Sequence, residues 1–238
     1  MVPHNHNQNE TNMQSPDENV KESTQSDDPD RKDASLISDF WRALALLSRV
    51  PVRGIDDFRP AMIARSVWCW PLVGLFLAGF ALLPAMLVEH ITDNSLVFAI
   101  FAIAGMVLLT GSMHEDGMAD CADGFGGGMD RARKLEIMRD SQIGTYGVVA
   151  LILCFGLRFV LLDAAADIEQ AAVLFLIMAV VSRSMMPVVM HFLPPARDNG
   201  LGKGAGRPGW LPVASGLSIA LVTTGILTGP WAMLAVVL

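Results

Sequence analysis

The sequence has no pair of cysteines from which to build a disulfide framework. Its three cysteines, Cys69, Cys121 and Cys154, are odd in number, and none stands in a C-x-x-C arrangement. Cys69 and Cys154 lie in apolar runs, where cysteine serves as a small buried hydrophobe. Cys121 lies among carboxylates and stays open as a soft metal ligand beside oxygen donors. An excess of basic charge is also missing. The formal net charge is −7, and residues 1–35 supply −5 of it, with eight acids against Lys21, Arg31 and Lys32. The rest of the chain is nearly balanced and offers no nucleic-acid surface. The first 34 residues lack an apolar h-region, which excludes a signal peptide, and they are too polar to bury a core. They are expected to form a disordered acidic and polar tail, in which His4 and His6 are incidental. The Gly-rich segment Phe125-Gly126-Gly127-Gly128 is not followed by Gly-Lys-Ser/Thr, so it is no Walker A loop. His114-Glu115 is not the start of a zinc motif H-E-x-x-H, because the position that should carry the second His is Met118.

What the chain has in abundance is uncharged length. Residues 67–88 and 95–113 carry no charge at all; 146–162 carry only Arg158, 171–193 only Arg183 and His191, and 211–228 none. Each run approaches the ~20 residues that cross a bilayer. Residues 231–238 begin a sixth run, and the chain stops inside it, which leads to the expectation of a truncated sequence. Before the first run, Leu36, Ile37, Phe40, Leu44 and Leu47 recur at helical spacing over 35–50, while Asp39, Arg42 and Arg49 fall off that stripe. An amphipathic helix ending at Pro51 is expected, either at the membrane interface or packed on the bundle. The fold expected is therefore all-α: a polytopic integral membrane helix bundle over 35–238, with five full spans, the start of a sixth and an N-terminal amphipathic interfacial helix.

Loop charge alternates. Residues 31–65 hold seven Lys/Arg, 114–142 hold Arg131, Arg133, Lys134 and Arg139, and 194–210 hold Arg197, Lys203 and Arg207, whereas 89–94, 163–170 and the segment after 228 hold none. By the positive-inside rule the N-terminus and the loops 114–142 and 194–210 are expected to be cytoplasmic. The oligomeric state stays open, a homo-oligomer included.

The chemistry concentrates where the second run ends, in His114-Glu115-Asp116-Gly117-Met118-Ala119-Asp120-Cys121-Ala122-Asp123-Gly124. On a helix, Asp116, Asp120 and Asp123 stand at i, i+4 and i+7, on one face. Three like charges on one face repel, so the arrangement gains nothing unless a cation neutralises it. Mg2+ suits such oxygen donors and retains waters that phosphate can displace. Asp116 to Asp123 spans roughly 10 Å of rise, so two ions, or one ion and a base, fit better than a single ion. Glu115 is a candidate ligand or base, and His114 a candidate substrate contact. Beyond the Gly-rich segment, Arg139 and Asp140 open the run Arg139-Asp140-Ser141-Gln142-Ile143-Gly144-Thr145-Tyr146-Gly147. Cations facing the carboxylates could clamp a diphosphate against the metal, with Arg139 the first candidate. Arg183 lies at least ten residues from either end of its run, too deep to snorkel, and is expected to face a protein or aqueous interior; Arg158 is nearer an end and could snorkel. Arg197 sits in the Gly-rich loop Pro195–Lys203.

Residues 111–149 closely resemble the central motif of the cobalamin synthase family (adenosylcobinamide-GDP ribazoletransferases). Leu47-Ser48-Arg49-Val50-Pro51-Val52 is similar to the family's L-T-R-I-P-V, Ala196-Arg197-Asp198-Asn199-Gly200-Leu201-Gly202 to its A-R-x-x-G-L-G loop, and Pro71-Leu72-Val73-Gly74 to its first span. The likeness covers roughly 40–205. It implies the last step of nucleotide-loop assembly in vitamin B12 biosynthesis. There the 3′-hydroxyl of α-ribazole, or of its 5′-phosphate, attacks adenosylcobinamide-GDP and GMP leaves. It also implies catalytic roles for Glu115, Asp116, Asp120 and Asp123, magnesium on Asp116, Asp120 and Asp123, and substrate contacts from His114, Arg139, Asp140, Arg183 and Arg197. Two departures stand out: the first 35 residues have no family counterpart, and the chain ends before the family's C-terminal G-G-x-T-G-D-x-L-G-A motif. A CDP-alcohol phosphatidyltransferase shares a D-G-x-x-A motif but requires Arg where Asp120 stands. An ion transporter, with Arg158 and Arg183 marking a path, is the alternative from another class.

Overall fold

The computed structural model describes residues 35–229. The tail over 1–34 and the incipient sixth span at 231–238 lie outside the described residues. Among those described there are only helices and turns. In chain order they are α1 (Leu36–Leu47), α2 (Pro60–Ser66), a 3-10 turn at Val67–Cys69, α3 (Trp70–Thr92), α4 (Ser95–Thr110), α5 (Met113–Gly127), α6 (Arg131–Ile137), α7 (Thr145–Asp163), α8 (Ile168–Phe192), α9 (Leu201–Gly204) and α10 (Trp210–Thr228).

Local chemistry sets the boundaries. Ser35, Asn94, Asp130 and Asp167 cap α1, α4, α6 and α8 by accepting from backbone amides of the first turn. Pro60 and Pro71 stand in the opening turns of α2 and α3, where the missing N–H costs nothing. Among the described residues four stretches are long and apolar enough to cross a membrane: 60–92, 145–163, 168–192 and 210–228. They become five if α4 and α5 together form one broken span. The break is abrupt. Gly111 and Ser112 both adopt left-handed backbone, with φ of 65° and 61°, and α5 leaves α4 at 88°. The acidic segment is therefore not the continuation of the second apolar run but a separate helix turned across its end.

α3 is the central helix, packed on α4 and α8. Against α4 it presents Ala78, Ala81, Leu82 and Ala85 to Phe98, Ala99, Ala102 and Ile103. Small side chains let the two backbones approach, as membrane helix pairs require. Against α8 the approach is closer still: a Cβ on Gly74 would stand 2.6 Å from the carbonyl oxygen of Ala179. α7 lies outermost, with only Gly147 and Leu162 buried, and turns Ile152, Leu157 and Val160 outward at about two-thirds exposure. A continuous apolar face of this kind suits hydrocarbon rather than water.

α1 differs from its sequence reading in one respect. Asp39 and Arg42, off the apolar stripe, are buried, while Leu36 and Ile37 are exposed. Asp39 accepts from Arg42 at 3.0 Å, Arg65 at 3.0 Å and the Trp68 indole at 3.1 Å, and Arg42 also donates to the Asp57 carbonyl at 2.8 Å. This polar hub is satisfied internally and joins α1 to α2 beside the apolar contacts of Ala43, Leu44 and Leu47.

Candidate active site

α5 is poor in large side chains, and its glycines show why. A Cβ at Gly124 would collide with Met138 and approach the Lys134 carbonyl, and one at Gly126 would enter the Tyr146 ring. α6 and the start of α7 thus close directly over the backbone of α5, while Gly117 faces open space. The four acids leave this helix in different directions. Asp116, exposed, and Asp120, half-buried, line one cavity of about 340 Å³ together with Arg139, Asp140, Ser141 and Gln142. Asp123 is buried and turns to the neighbouring helix. Its Oδ2 accepts from the Gly144 amide at 2.7 Å and its Oδ1 from the Gly147 amide at 2.8 Å. Glu115 is also buried and turns into the bundle, where Oε1 accepts from Arg158 Nη1 at 3.0 Å and Oε2 has no partner.

Glu115, predicted as a ligand or base, therefore stands away from the Asp116–Asp120 cavity. Arg158 does not snorkel alone: it is the partner of that acid, and the sequence reading had not paired the two. His114 and Arg183 occupy the same interior, with both His114 ring nitrogens and Arg183 Nε unpartnered and Arg183 Nη1 on the Ser182 hydroxyl at 2.9 Å. Arg183 faces the protein interior, as its depth in the run requires, but does not line the cavity. Cys121 is exposed and Cys69 buried, and all three cysteines are free.

The two basic loops meet. Arg131 donates to the Ala196 carbonyl at 2.7 Å and Arg139 to the Asn199 side chain at 2.8 Å. Between them lies a second cavity of about 480 Å³, lined by Glu136, Arg139, Arg197, Asp198 and Asn199 among others. Arg139 borders both cavities. Asp140 borders the first and a third of about 430 Å³ that reaches Asp123, Arg133 and Tyr146. The loops placed on one side by charge counting are thus in contact beside the acidic helix. Ser141, Gln142 and Asn199 joined the site without being singled out. Their signal was position within the Arg139–Gly147 run and the Ala196–Gly202 loop.

Among the described residues no three His, Cys, Asp or Glu side chains come together as a metal cage. Two carboxylates on a cavity wall are compatible with an ion that the substrate helps to hold. Mg2+ is commonly held by one or two carboxylates plus substrate phosphates and water, not by an all-protein cage. Asp116 and Asp120, one turn apart, are two such carboxylates on a cavity that Arg139 also lines.

The family model described as Cobalamin-5-phosphate synthase matches residues 39–238. Three curated relatives are named adenosylcobinamide-GDP ribazoletransferase. That of Bradyrhizobium diazoefficiens is 39% identical over 198 residues, covering 82% of this chain and 75% of its own. Those of Azorhizobium caulinodans and Sinorhizobium medicae are 43% identical over 197 residues and 42% over 202, covering 79% and 78% of this chain and 74% and 76% of theirs. No solved structure matches. The matched segment begins within α1 and includes the acidic helix and both basic loops, so the chain belongs to the cobalamin-5-phosphate synthase family.

Proposed function

We propose that this protein is a multi-pass membrane transferase. It joins adenosylcobinamide-GDP to α-ribazole or α-ribazole 5′-phosphate, yielding adenosylcobalamin or its 5′-phosphate and GMP. The relatives' name supplies the substrates. The observation in this chain that supports the reading is the cavity lined by Asp116, Asp120 and Arg139, which adjoins through Arg139 a second cavity where the two basic loops meet.

The acceptor's 3′-oxygen attacks the phosphorus that bears the cobinamide. A new P–O bond forms, the bond from that phosphorus to the bridging oxygen breaks, and the electron pair leaves with GMP. The hydroxyl proton passes to a base or to solvent. Phosphoryl transfer asks a protein chiefly for positioning and charge stabilisation. Asp116 and Asp120 would hold Mg2+, which when bound neutralises diphosphate charge and orients its oxygens. Arg139, which lines that cavity and is tied to Asn199, supplies a cation, and Arg197 borders the adjoining cavity and acts electrostatically on Asp120. Asp140 lines the same cavity and is the acid nearest to Arg139 in sequence.

The membrane is a bacterial inner membrane, with the N-terminus and both basic loops cytoplasmic, a reading supported by the alternating Lys/Arg counts. The test is GMP release from adenosylcobinamide-GDP, α-ribazole and magnesium by the full-length protein in membranes. Release is expected only with all three present. CMP release from a CDP-lipid instead would favour the phosphatidyltransferase alternative, and release of neither nucleotide would remove the transferase reading.

A further inference from the structure

We propose that Asp123 is a positioning residue rather than a metal ligand: its carboxylate straps α5 to the N-terminus of α7, which sets the 140–143 wall against Asp116 and Asp120. The inference rests on the reading that those two carboxylates hold the cation.

The geometry is specific. Asp123 spends one oxygen on the Gly144 amide and the other on the Gly147 amide, at 2.7 and 2.8 Å. Gly144 is the N-cap of α7 and has no side chain with which to satisfy the first-turn amides. The carboxylate of Asp123 does so in its place, and its negative charge sits favourably at that helix end. The flanking glycines are required by the strap itself. A Cβ at either Gly144 or Gly147 would run into the Asp123 carboxylate, and at Gly147 it would also stand 3.1 Å from the Ala119 carbonyl. Tyr146 closes the same contact by resting on Gly126. The spacing of Gly144 and Gly147 after the Arg139–Ile143 run thus records a helix docking contact, not a phosphate loop.

Among the described residues Asp116 and Asp120 have no hydrogen-bond partner of this kind, and they line one cavity whereas Asp123 borders a different one. One helix face therefore carries two acids for the substrate side and a third that aims the opposing wall. The effect of Asp123 on turnover is indirect, through residues 140–143.

Amide hydrogen exchange and magnesium dependence test this in the full-length protein. In the wild type, the amides of 144–147 are expected to be protected equally in EDTA and in saturating Mg2+; protection that appears only with Mg2+ would make Asp123 a ligand and overturn the proposal. This arm needs no variant. Asp123→Asn keeps one acceptor oxygen and faces an amide with an NH2, and Gly147→Ala displaces the carboxylate from the other side. Both are expected to speed exchange there by at least ~10-fold through local opening. Both should lower kcat, by roughly 10–100-fold as for misplacement of a site wall, with the Mg2+ concentration for half-maximal rate within about twofold of wild type. Asp116→Asn is the contrast, with its Mg2+ requirement raised. If Asp123→Asn raises that requirement as far as Asp116→Asn does, the strap is not its role. If Asp116→Asn leaves the requirement unchanged, the metal reading fails, and the exchange measurements still decide the part played by Asp123.

Discussion

Replacing Arg158 should cost far more than replacing its partner, and the asymmetry follows from where the two side chains sit. The Glu115 side chain is 10% exposed and Arg158 36% exposed, joined at 3.0 Å. Arg158→Met strands a buried carboxylate, one of whose oxygens already lacks a partner. Breaking a fully buried pair costs about 3–5 kcal/mol, and an exposed pair contributes about 0–1. The acid lies near the buried limit, so the loss expected for Arg158→Met is about 2–3 kcal/mol after discounting for the exposure of Arg158. Glu115→Gln keeps shape and an acceptor oxygen, and leaves an arginine that is only partly buried, so its cost is about 1 kcal/mol. In the double variant neither member of this pair is left without the other, and its cost should fall short of the sum of the singles by about 1–2 kcal/mol. Reversible unfolding in mixed micelles, followed by tryptophan fluorescence, reads all three. Equal costs for the two single variants, or strict additivity in the double, would refute the reasoning.

Asp116→Asn and Asp120→Asn should each lower kcat by at least ~10²-fold and raise the magnesium requirement, measured by GMP release, because each removes charge while keeping shape. Asp130→Asn should be mild in the same assay: Asp130 caps α6 through the Arg133 amide at 2.9 Å, and asparagine caps as well as aspartate. Single cysteines at positions 130 and 203 should label from the cytoplasmic side only; labelling from outside would reverse the topology. Deleting residues 1–34 should leave turnover within a few-fold, since their composition cannot build a core, and loss of activity in correctly inserted protein would show otherwise.

Much of the architecture was legible in the sequence because a bilayer reads contiguous residues. A run such as 211–228 identifies itself by the sum of its transfer energies, whatever its neighbours are, and the structure has a helix there at Trp210–Thr228. Loop charge is likewise a property of short segments, and it grouped the two basic loops that Arg131–Ala196 and Arg139–Asn199 bring together. The acidic motif announced itself because carboxylates crowded on one helix face need a reason.

Tertiary structure alone decided which way each side chain turns. Helical spacing put Asp116, Asp120 and Asp123 on one face, but only the docking of α7 shows that Asp123 is taken up by the Gly144 and Gly147 amides. Hydropathy put Arg158 in a span, but its partner lies 43 residues away, across a helix contact that no local pattern encodes. The stripe on α1 put Asp39 and Arg42 off the apolar face, yet both are buried because Arg65 and Trp68 donate to Asp39 and the Asp57 carbonyl accepts from Arg42. The 88° turn at Gly111–Ser112 depends on two left-handed residues, which end an apolar run without changing its hydropathy. Helix existence is a sum along the chain. Helix rotation, crossing and the partners of buried polar groups depend on residues that are distant in sequence, and only the packed bundle brings those together.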